Sequence, residues 1–179
     1  MGPWIRLFKV VLSAPFRPRL EWGGNSKVEF LVWLSDLDVN LHMNNARYLA
    51  VMDLGRFDLI LRSGLGKLVW REKLKPVVGS TLVRYRRSLA PFARFSLTTR
   101  IVGADEKWLF IEHRIERKGE LICHAVVKAL FLTAKCSLPT VKLVSLLGES
   151  EAVLQTPDWI AKWLAAEDAM RQSGEPLNN

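Results

Sequence analysis

Residues 35–48 of the chain read SDLDVNLHMNNARY, and this stretch decides both the fold and the place of any chemistry. It sets carboxylate, amide and imidazole side chains at alternate or adjacent positions: Asp36, Asp38, Asn40, His42, Asn44 and Asn45. Asn and Asp are favoured helix N-cap residues, so one interpretation is that they only cap the helix that follows. The other is a reactive site, because the same groups bind and transfer protons.

An apolar strand and an apolar helix flank this stretch. Over 27–34 the apolar residues share one face at period two, which predicts a strand: Val28, Phe30, Val32 and Leu34. Over 45–62 apolar residues lie around most of the circumference of a helix, which other elements must therefore wrap. Ser63, Gly64 and Gly66 end this helix, because glycine adopts the left-handed conformation that closes a helix.

The chain from about residue 69 to residue 134 alternates between apolar and polar residues and is interrupted by turn residues. We predict four strands there, beginning with 81–89, and hairpin turns at 105–106 and 118–119. The last strand, 121–133, is apolar on both faces and should lie inside the sheet. One strand, one long helix and an antiparallel meander predict an α+β hotdog fold, in which about five strands wrap one central helix.

The two ends of the chain differ from this central region. Residues 1–26 form a basic amphipathic segment, whose first twenty residues hold four basic side chains and no acid. We expect a short helix that packs on the domain, or one that contacts a membrane surface. Residues 135–179 form a helical extension, with one helix through residue 147 and another starting at Pro157 and Asp158. The hotdog domain itself is assigned to residues 27–134.

Composition restricts the compartment and the partners. The 26 basic and 18 acidic residues give a net charge of +8, which favours anionic partners. No apolar run is long enough for a transmembrane helix, so we expect a soluble, cytoplasmic protein, with peripheral membrane attachment as the alternative. Cys123 and Cys136 lie among apolar residues without CxxC spacing, so we predict free buried thiols. The three histidines lack ligand spacing, so no metal is expected.

The motif resembles a known family signature. SDLDVNLHMNNARY is similar to the DxDxxxHxNN pattern of hotdog thioesterases of the 4-hydroxybenzoyl-CoA thioesterase-like and acyl-carrier-protein thioesterase groups. Its HMNNARYL run is most similar to thioesterase-superfamily-member-six-like proteins, and the resemblance continues through RYRRSL and IVGADEKWLFIEHRI. It implies hydrolysis of acyl-CoA or acyl-carrier-protein (acyl-ACP) thioesters, with the thiol carrier as part of the substrate and no separate cofactor. It also implies at least a homodimer, with the site at the subunit boundary.

The resemblance also implies roles for single residues. Asp38 matches the catalytic carboxylate, which acts as general base or nucleophile, and Asn40 and His42 match residues that hold this carboxylate and the substrate. Asn44, Asn45 and Asp53 are the expected substrate-binding residues, and Asp53 stands where many relatives carry glutamate. Leu41 departs from the pattern, because many relatives have glycine there.

The physical chemistry of a thioester fits these roles. The leaving thiol has a pKa of about 8.5, so its departure needs little help from an acid. The reaction needs a base or nucleophile, which Asp38 supplies, and stabilisation of the developing oxyanion. Unpaired backbone amides at the start of the 45–62 helix, aided by the helix dipole, are the expected oxyanion donors.

Three other interpretations compete with hydrolysis. A hotdog acyl-binding or membrane-associated protein would keep the pocket without turnover. A hotdog hydratase or dehydratase would carry DxNPxH, whereas DVNLH lacks the proline and has its histidine one residue early. A nucleic-acid module is disfavoured, because a sheet that wraps a helix has no free stacking face.

A few basic side chains outside the motif are weaker candidates. His113 shares a face with apolar residues, so we predict a buried, hydrogen-bonded histidine. His124 shares a strand face with Lys128 and is a candidate for approaching the substrate. One set of side chains either meets phosphates of the thiol carrier or forms a solvated face: Arg84, Arg86, Arg87 and Arg94.

Overall fold

The structure, a computed structural model, describes residues 3–148 and 156–174, which form five α-helices and six β-strands. In chain order they are α1 (Pro3–Ser13), β1 (Ser26–Leu31), α2 (Asn45–Arg62), α3 (Leu65–Arg71), β2 (Lys75–Tyr85), β3 (Arg94–Ala104), β4 (Leu109–Arg117), β5 (Glu120–Leu132), β6 (Ser137–Leu138), α4 (Thr140–Leu147) and α5 (Asp158–Ser173). Within these ranges no helix is long and apolar enough to cross a membrane.

The strands form one antiparallel sheet in the order β1-β3-β4-β5-β2, and the short β6 pairs with β5. Strand β5 lies between β4 and β2, so the prediction of an interior last strand is confirmed. Both predicted hairpin turns are present, and Lys118 and Gly119 each have a positive φ. The α+β fold with a sheet around one long helix is therefore confirmed.

Helix α2 occupies the predicted range and packs on the inner face of the sheet. The Asn44 side chain caps it by accepting a hydrogen bond from the Ala46 N–H at 2.9 Å. Gly55 brings the helix against β3: a Cβ atom at this position would lie 2.6 Å from the Leu97 Cδ2. The helix backbone therefore touches the sheet directly, and residue 55 has no room for a side chain.

Several sequence predictions of element bounds are wrong. Strand β1 ends at Leu31, because the Asp36 carboxylate accepts the Trp33 N–H at 2.8 Å and bends the chain into a turn. The region after α2 first forms α3, with Leu65 and Leu68 buried at helical spacing. Strand β2 spans 75–85 rather than 81–89, because the chain turns out of the sheet at Arg86.

Two further corrections concern exposure. Helix α2 is not enclosed on all sides by the rest of the described chain, since Leu49, Phe57 and Leu61 are exposed. Cys123 is buried in β5 as predicted, but Cys136 is exposed. Cys136 lies in a tight turn before β6, where its N–H donates to the Thr133 hydroxyl at 3.1 Å.

The described parts of both terminal segments pack on this domain. In the N-terminal segment, Arg17 donates to the buried Asp58 carboxylate at 2.7 Å, and Arg62 donates to the same group at 2.9 Å. At the other end, α5 covers the outer face of the sheet, where Ile160 packs with Phe110 and Val126. The predicted helices at 139–147 and from 158 are both present.

Candidate active site

The two aspartates of the motif have different environments, and the first one is structural. Asp36 is 2% exposed, and both of its carboxylate oxygens accept hydrogen bonds from the Arg6 guanidinium of α1. Its carbonyl accepts the Asn44 N–H at 2.8 Å. Asp36 therefore joins the N-terminal helix, the motif loop and the start of α2, and it is not available to a substrate.

The second aspartate, Asp38, shapes the loop and keeps one oxygen available. Its Oδ1 accepts the Asn40 N–H at 2.9 Å and the His42 N–H at 3.3 Å. Its own N–H donates to the His42 carbonyl at 2.9 Å, which closes the loop. Within residues 3–148 and 156–174 its Oδ2 accepts no hydrogen bond. A carboxylate held in this way has a defined orientation and one free oxygen.

The family resemblance leads us to expect glycine at the position of Leu41 in many relatives, and the backbone of Leu41 has a conformation that suits glycine. Its φ is +57°, in the left-handed region that costs an L-residue about 1–2 kcal/mol. The side chain points into solvent, with 66% of its surface exposed, so no clash adds to this cost. The loop thus keeps the turn before His42 despite the leucine.

The motif lines an open cleft of about 330 Å³ at the start of α2. Four of the predicted site residues come together there: Asp38, Asn40, His42 and Asn45. Asn44 is not among them, because its side chain caps the helix. The capping interpretation is therefore right for Asn44, while Asp38, Asn40, His42 and Asn45 line a common cavity.

Two tyrosines complete the cleft, and neither is among the predicted site residues, although Tyr48 ends the motif and Tyr85 lies in the RYRRSL run. The Tyr85 hydroxyl, from the end of β2, donates to the Asn45 carbonyl at 3.2 Å. Its ring meets the edge of Tyr48 with centroids 5.5 Å apart. Burial raises the pKa of Tyr48 to about 12 and also raises that of Tyr85. Both phenols are thus neutral hydrogen-bond donors at pH 7.

Asp53 lies outside this cleft. It is eight residues further along α2 than Asn45, a distance of about 12 Å at the helical rise of roughly 1.5 Å per residue. It lines a separate apolar cavity of about 180 Å³ between α2 and the sheet, with Phe57, Ile60, Val78, Ile111 and Phe131. Of the three predicted substrate-binding residues, Asn45 therefore lines the cleft, Asp53 lines the apolar cavity, and Asn44 lines neither.

A chain of hydrogen bonds leads from the apolar cavity into the core. Arg56 pairs with Asp53 and also lies 3.2 Å, Nη1 to Nε2, from His113. Because arginine only donates, this Nε2 is the acceptor, so the proton is on Nδ1 and is donated to the Thr99 hydroxyl at 3.0 Å. Burial, together with the Arg56 charge, holds the pKa of His113 well below its usual range. His113 is thus the buried histidine that the sequence predicts.

The other basic candidates are dispersed. His124 bonds Glu112 at 2.8 Å and lies near Trp159 of α5, away from both cavities, so the structure does not bring it to the site. The glutamate's pKa falls to about 2, chiefly because it accepts from His124. Arg86 and Arg87 line the motif cleft, whereas Arg94 lines a groove beside α1.

Comparison with known proteins gives this chain relatives in animals and fungi. It is 40% identical over 126 residues to the THEM6 protein of Danio rerio, covering 70% of this chain and 60% of that protein. It is 24% identical to THEM6 of Drosophila melanogaster, covering 96% and 86% respectively. The thioesterase poxG of Penicillium oxalicum is 29% identical over 100 residues, which is 48% of this chain and 33% of that protein. The matched region thus spans less than two thirds of the zebrafish protein.

Solved structures share the fold. The probable thioesterase YbaW of Escherichia coli superposes with a TM-score of 0.65 at 20% identity, covering 73% of this chain and all but 1% of that one. A Thermus thermophilus thioesterase, solved with coenzyme A and zinc, superposes with a TM-score of 0.56 at 26% identity, covering 63% and 88%. The model of the thioesterase-like superfamily matches residues 32–164, which include the motif and strands β2 to β6. This chain therefore belongs to the thioesterase-like superfamily of hotdog proteins.

Proposed function

We propose that the protein hydrolyses acyl thioesters of coenzyme A or of an acyl carrier protein, with Asp38 as general base or nucleophile. The observation that carries this proposal is the Asp38 carboxylate, held through Oδ1 and free at Oδ2, in a cleft that opens at the first turn of α2. Membership of the thioesterase-like superfamily and the names of the fungal and bacterial relatives support it.

The first turn of α2 offers the second element of the reaction. The first four N–H groups of a helix lack partners inside the helix and carry its positive dipole end. Asn44 already engages the Ala46 N–H, so not every amide expected from the sequence is available. We assign the N–H of Asn45, a residue that lines the cleft, as the donor to the oxyanion. Tyr85 steadies this residue through its carbonyl.

The chemical step follows from these positions. Asp38 removes a proton from water as the water oxygen bonds to the thioester carbon, or the carboxylate itself makes that bond and water then hydrolyses the resulting anhydride. In both routes the C–S bond breaks, the thiolate leaves and takes up a proton, and the carboxylic acid is released. Asn40 and His42 line the cleft beside Asp38 and are assigned to holding the thioester.

The charge at the cleft supports a phosphate-bearing thiol carrier. Arg86 and Arg87 line the cleft with exposed side chains, and guanidinium groups bind phosphate through paired N–H donors. The Thermus thermophilus relative was solved with coenzyme A. We therefore assign these arginines to the pantetheine-phosphate or nucleotide end of the substrate, which leaves the acyl end for the apolar cavity.

A homodimer would bring the two cavities into one site. The cleft and the apolar cavity of one protomer share no lining residue, so one acyl thioester does not reach from the cleft directly into the apolar cavity of the same protomer. Strand β2 is 11 residues long, lies at the edge of the sheet, and exposes Val77, Val78 and Leu82. Long apolar edge strands pair with other strands. We propose that two protomers meet along β2 and the exposed side of α2, so that the cleft of one adjoins the apolar cavity of the other.

Thiol release from short-chain, long-chain and aromatic acyl-CoA esters and from acyl-ACP tests the reaction. Asp38→Asn should lower kcat/KM by about 100-fold or more, the range for loss of a general base. Asp158→Asn, at an exposed carboxylate on α5, is the matched control and should equal wild type. Equally slow release by wild type and Asp38→Asn on every ester would remove the enzyme proposal and favour an acyl-binding protein, detected by calorimetry with a non-hydrolysable acyl-CoA.

Light scattering tests the dimer. Wild type should have about twice the 20.4 kDa chain mass, and Phe57→Glu should reduce the mass to that of one chain. Val141→Glu on α4, at a valine whose exposure resembles that of Phe57 (39% against 46%), should leave the mass unchanged. A monomeric wild-type protein with full activity would contradict the proposed subunit contact.

A further inference from the structure

Helix α1 is fixed on the domain by one of its faces. Val10 is 1% exposed and Ala14, directly after the helix, is also buried. On the same side Arg6 is buried, where it pairs with Asp36 and donates to the Leu31 carbonyl at 2.7 Å. Rotation of the helix to bury its other face would therefore break a buried ion pair.

The opposite face of α1 is apolar and exposed. We call this surface the α1 apolar face; its residues are Trp4, Ile5, Phe8 and Leu12, with Phe16 in the turn that follows. Trp4, Phe8 and Leu12 are spaced by four, so they stack along one side of the helix. Phe16 is 90% exposed and Trp4 is 70% exposed. Soluble monomers rarely expose continuous apolar patches of this kind without a partner.

A basic groove adjoins this face. It lies between α1 and the edge strand β1 and has a volume of about 560 Å³. Its lining includes the exposed cations Lys9, Lys27, Arg94 and Lys118, against the two acids Glu29 and Glu116. Lys9 belongs to α1 itself, so the positive charge begins at the border of the α1 apolar face.

We propose that the α1 apolar face and the basic groove bind the surface of an anionic lipid bilayer. An amphipathic helix with aromatic residues on one side and cations beside it binds the interface between headgroups and acyl chains. The helix is 11 residues, about 16 Å long, and so lies in the plane of a bilayer whose apolar core is about 30 Å thick. A second copy of the chain fits less well, because it would bring like charges of the two grooves together.

The same contact would place the motif cleft near the membrane. Arg6 joins α1 to Asp36, two residues before Asp38, so the membrane-binding helix and the motif loop are held together by a buried ion pair. Acyl thioesters with long chains partition into such surfaces. The lipid contact itself does not depend on hydrolysis, so it is tested without substrate.

Co-sedimentation of the full chain with vesicles tests the proposal. The probes are vesicles of phosphatidylcholine alone and of phosphatidylcholine mixed with phosphatidylglycerol, in low and high salt. We expect wild type to pellet with the mixed vesicles and to be released by salt. The double variant Phe8→Ser, Leu12→Ser should bind at least about tenfold more weakly. Lys9→Glu with Lys27→Glu should lose the preference for anionic vesicles.

The control is an equally exposed aromatic residue elsewhere. Trp70 on α3 is 88% exposed, and Trp70→Ser should bind vesicles like wild type. Circular dichroism of each variant reports whether the fold is kept. Wild type remaining in the supernatant with both vesicle types would overturn the proposal, as would an equal loss of binding in Trp70→Ser. A change of solution mass in Phe8→Ser, Leu12→Ser without lipid would also overturn it and assign the face to a second copy.

Discussion

The motif cleft and the apolar cavity lie along the same helix but differ in the state of their carboxylates. In the cleft, Asp38 accepts only backbone N–H groups on one oxygen, and within residues 3–148 and 156–174 it forms no ion pair. In the apolar cavity, Asp53 is paired with Arg56. An unpaired carboxylate is a better base or nucleophile than one held by a guanidinium. The comparison supports the proposed roles, with chemistry in the cleft and acyl binding in the apolar cavity.

The largest expected effect comes from exchanging the two carboxylates for amides. Asp38→Asn should lower kcat by about 100-fold or more, because the base is lost. Asp53→Asn should lower kcat/KM by only about tenfold, mainly through KM, because it alters the rim of the acyl cavity. Steady-state kinetics on one long-chain acyl-CoA measures both variants. If Asp53→Asn loses more kcat than Asp38→Asn, the two assignments must be exchanged.

The next effect concerns the contact between helix α2 and strand β3 at Gly55. Gly55→Ala should destabilise the protein by about 2 kcal/mol, because the new Cβ meets Leu97 and Thr99 of β3. Gly64→Ala is the matched control, because its Cβ would meet only the flexible end of Leu147 at 3.2 Å. Urea unfolding measures both. An unchanged midpoint for Gly55→Ala would mean that α2 and β3 lie further apart than described.

A smaller, pH-dependent effect should come from His113. Its pKa in the folded state is lowered well below 6.5, chiefly by burial, so only the unfolded chain takes up this proton as the pH falls. The free energy of unfolding should therefore decrease below about pH 6.5, by at most about 1.4 kcal/mol per pH unit from this group. His113→Gln should lack this slope between pH 6.5 and pH 5, where urea titrations compare it with wild type. Equal slopes would show that His113 titrates normally and that Arg56 is not its donor.

The sequence predicts the cleft much better than the apolar cavity, for a physical reason. Asp38, Asn40 and His42 are close together in the sequence, and the backbone of one loop is enough to bring their side chains together. The bounds of helix α2 can be predicted equally well, because Asn44 caps it and serine and glycine follow it. These features depend on neighbours in the chain.

The apolar cavity depends instead on contacts between distant segments. Its lining residues Phe57, Val78 and Phe131 come from α2, β2 and β5. Tyr85 reaches Asn45 across forty residues. The Arg6 to Asp36 ion pair spans thirty residues and gives the first aspartate of the motif a structural role. The pattern of polar and apolar residues in the sequence does not specify such pairings, because each of these residues also fits an ordinary surface or core position.

The smallest expected effect sharpens the assignment of the motif loop. Leu41 has a φ of +57° and an exposed side chain, so Leu41→Gly removes backbone strain without removing a packed group. Glycine also makes the unfolded chain more flexible, so the net gain in unfolding free energy should be only about 0.5 kcal/mol.

Val39→Gly is the control for this change, because Val39 lies in the same loop, is 96% exposed and has no positive φ. It should gain nothing and lose a few tenths of a kcal/mol through the added flexibility. Thiol release by Leu41→Gly should match wild type, since the glycine keeps the turn that presents His42. Leu41→Gly could instead lose activity while its stability rises. In that case the leucine side chain itself contacts the substrate or a second protomer, and the motif cleft includes an apolar rim in addition to its polar residues.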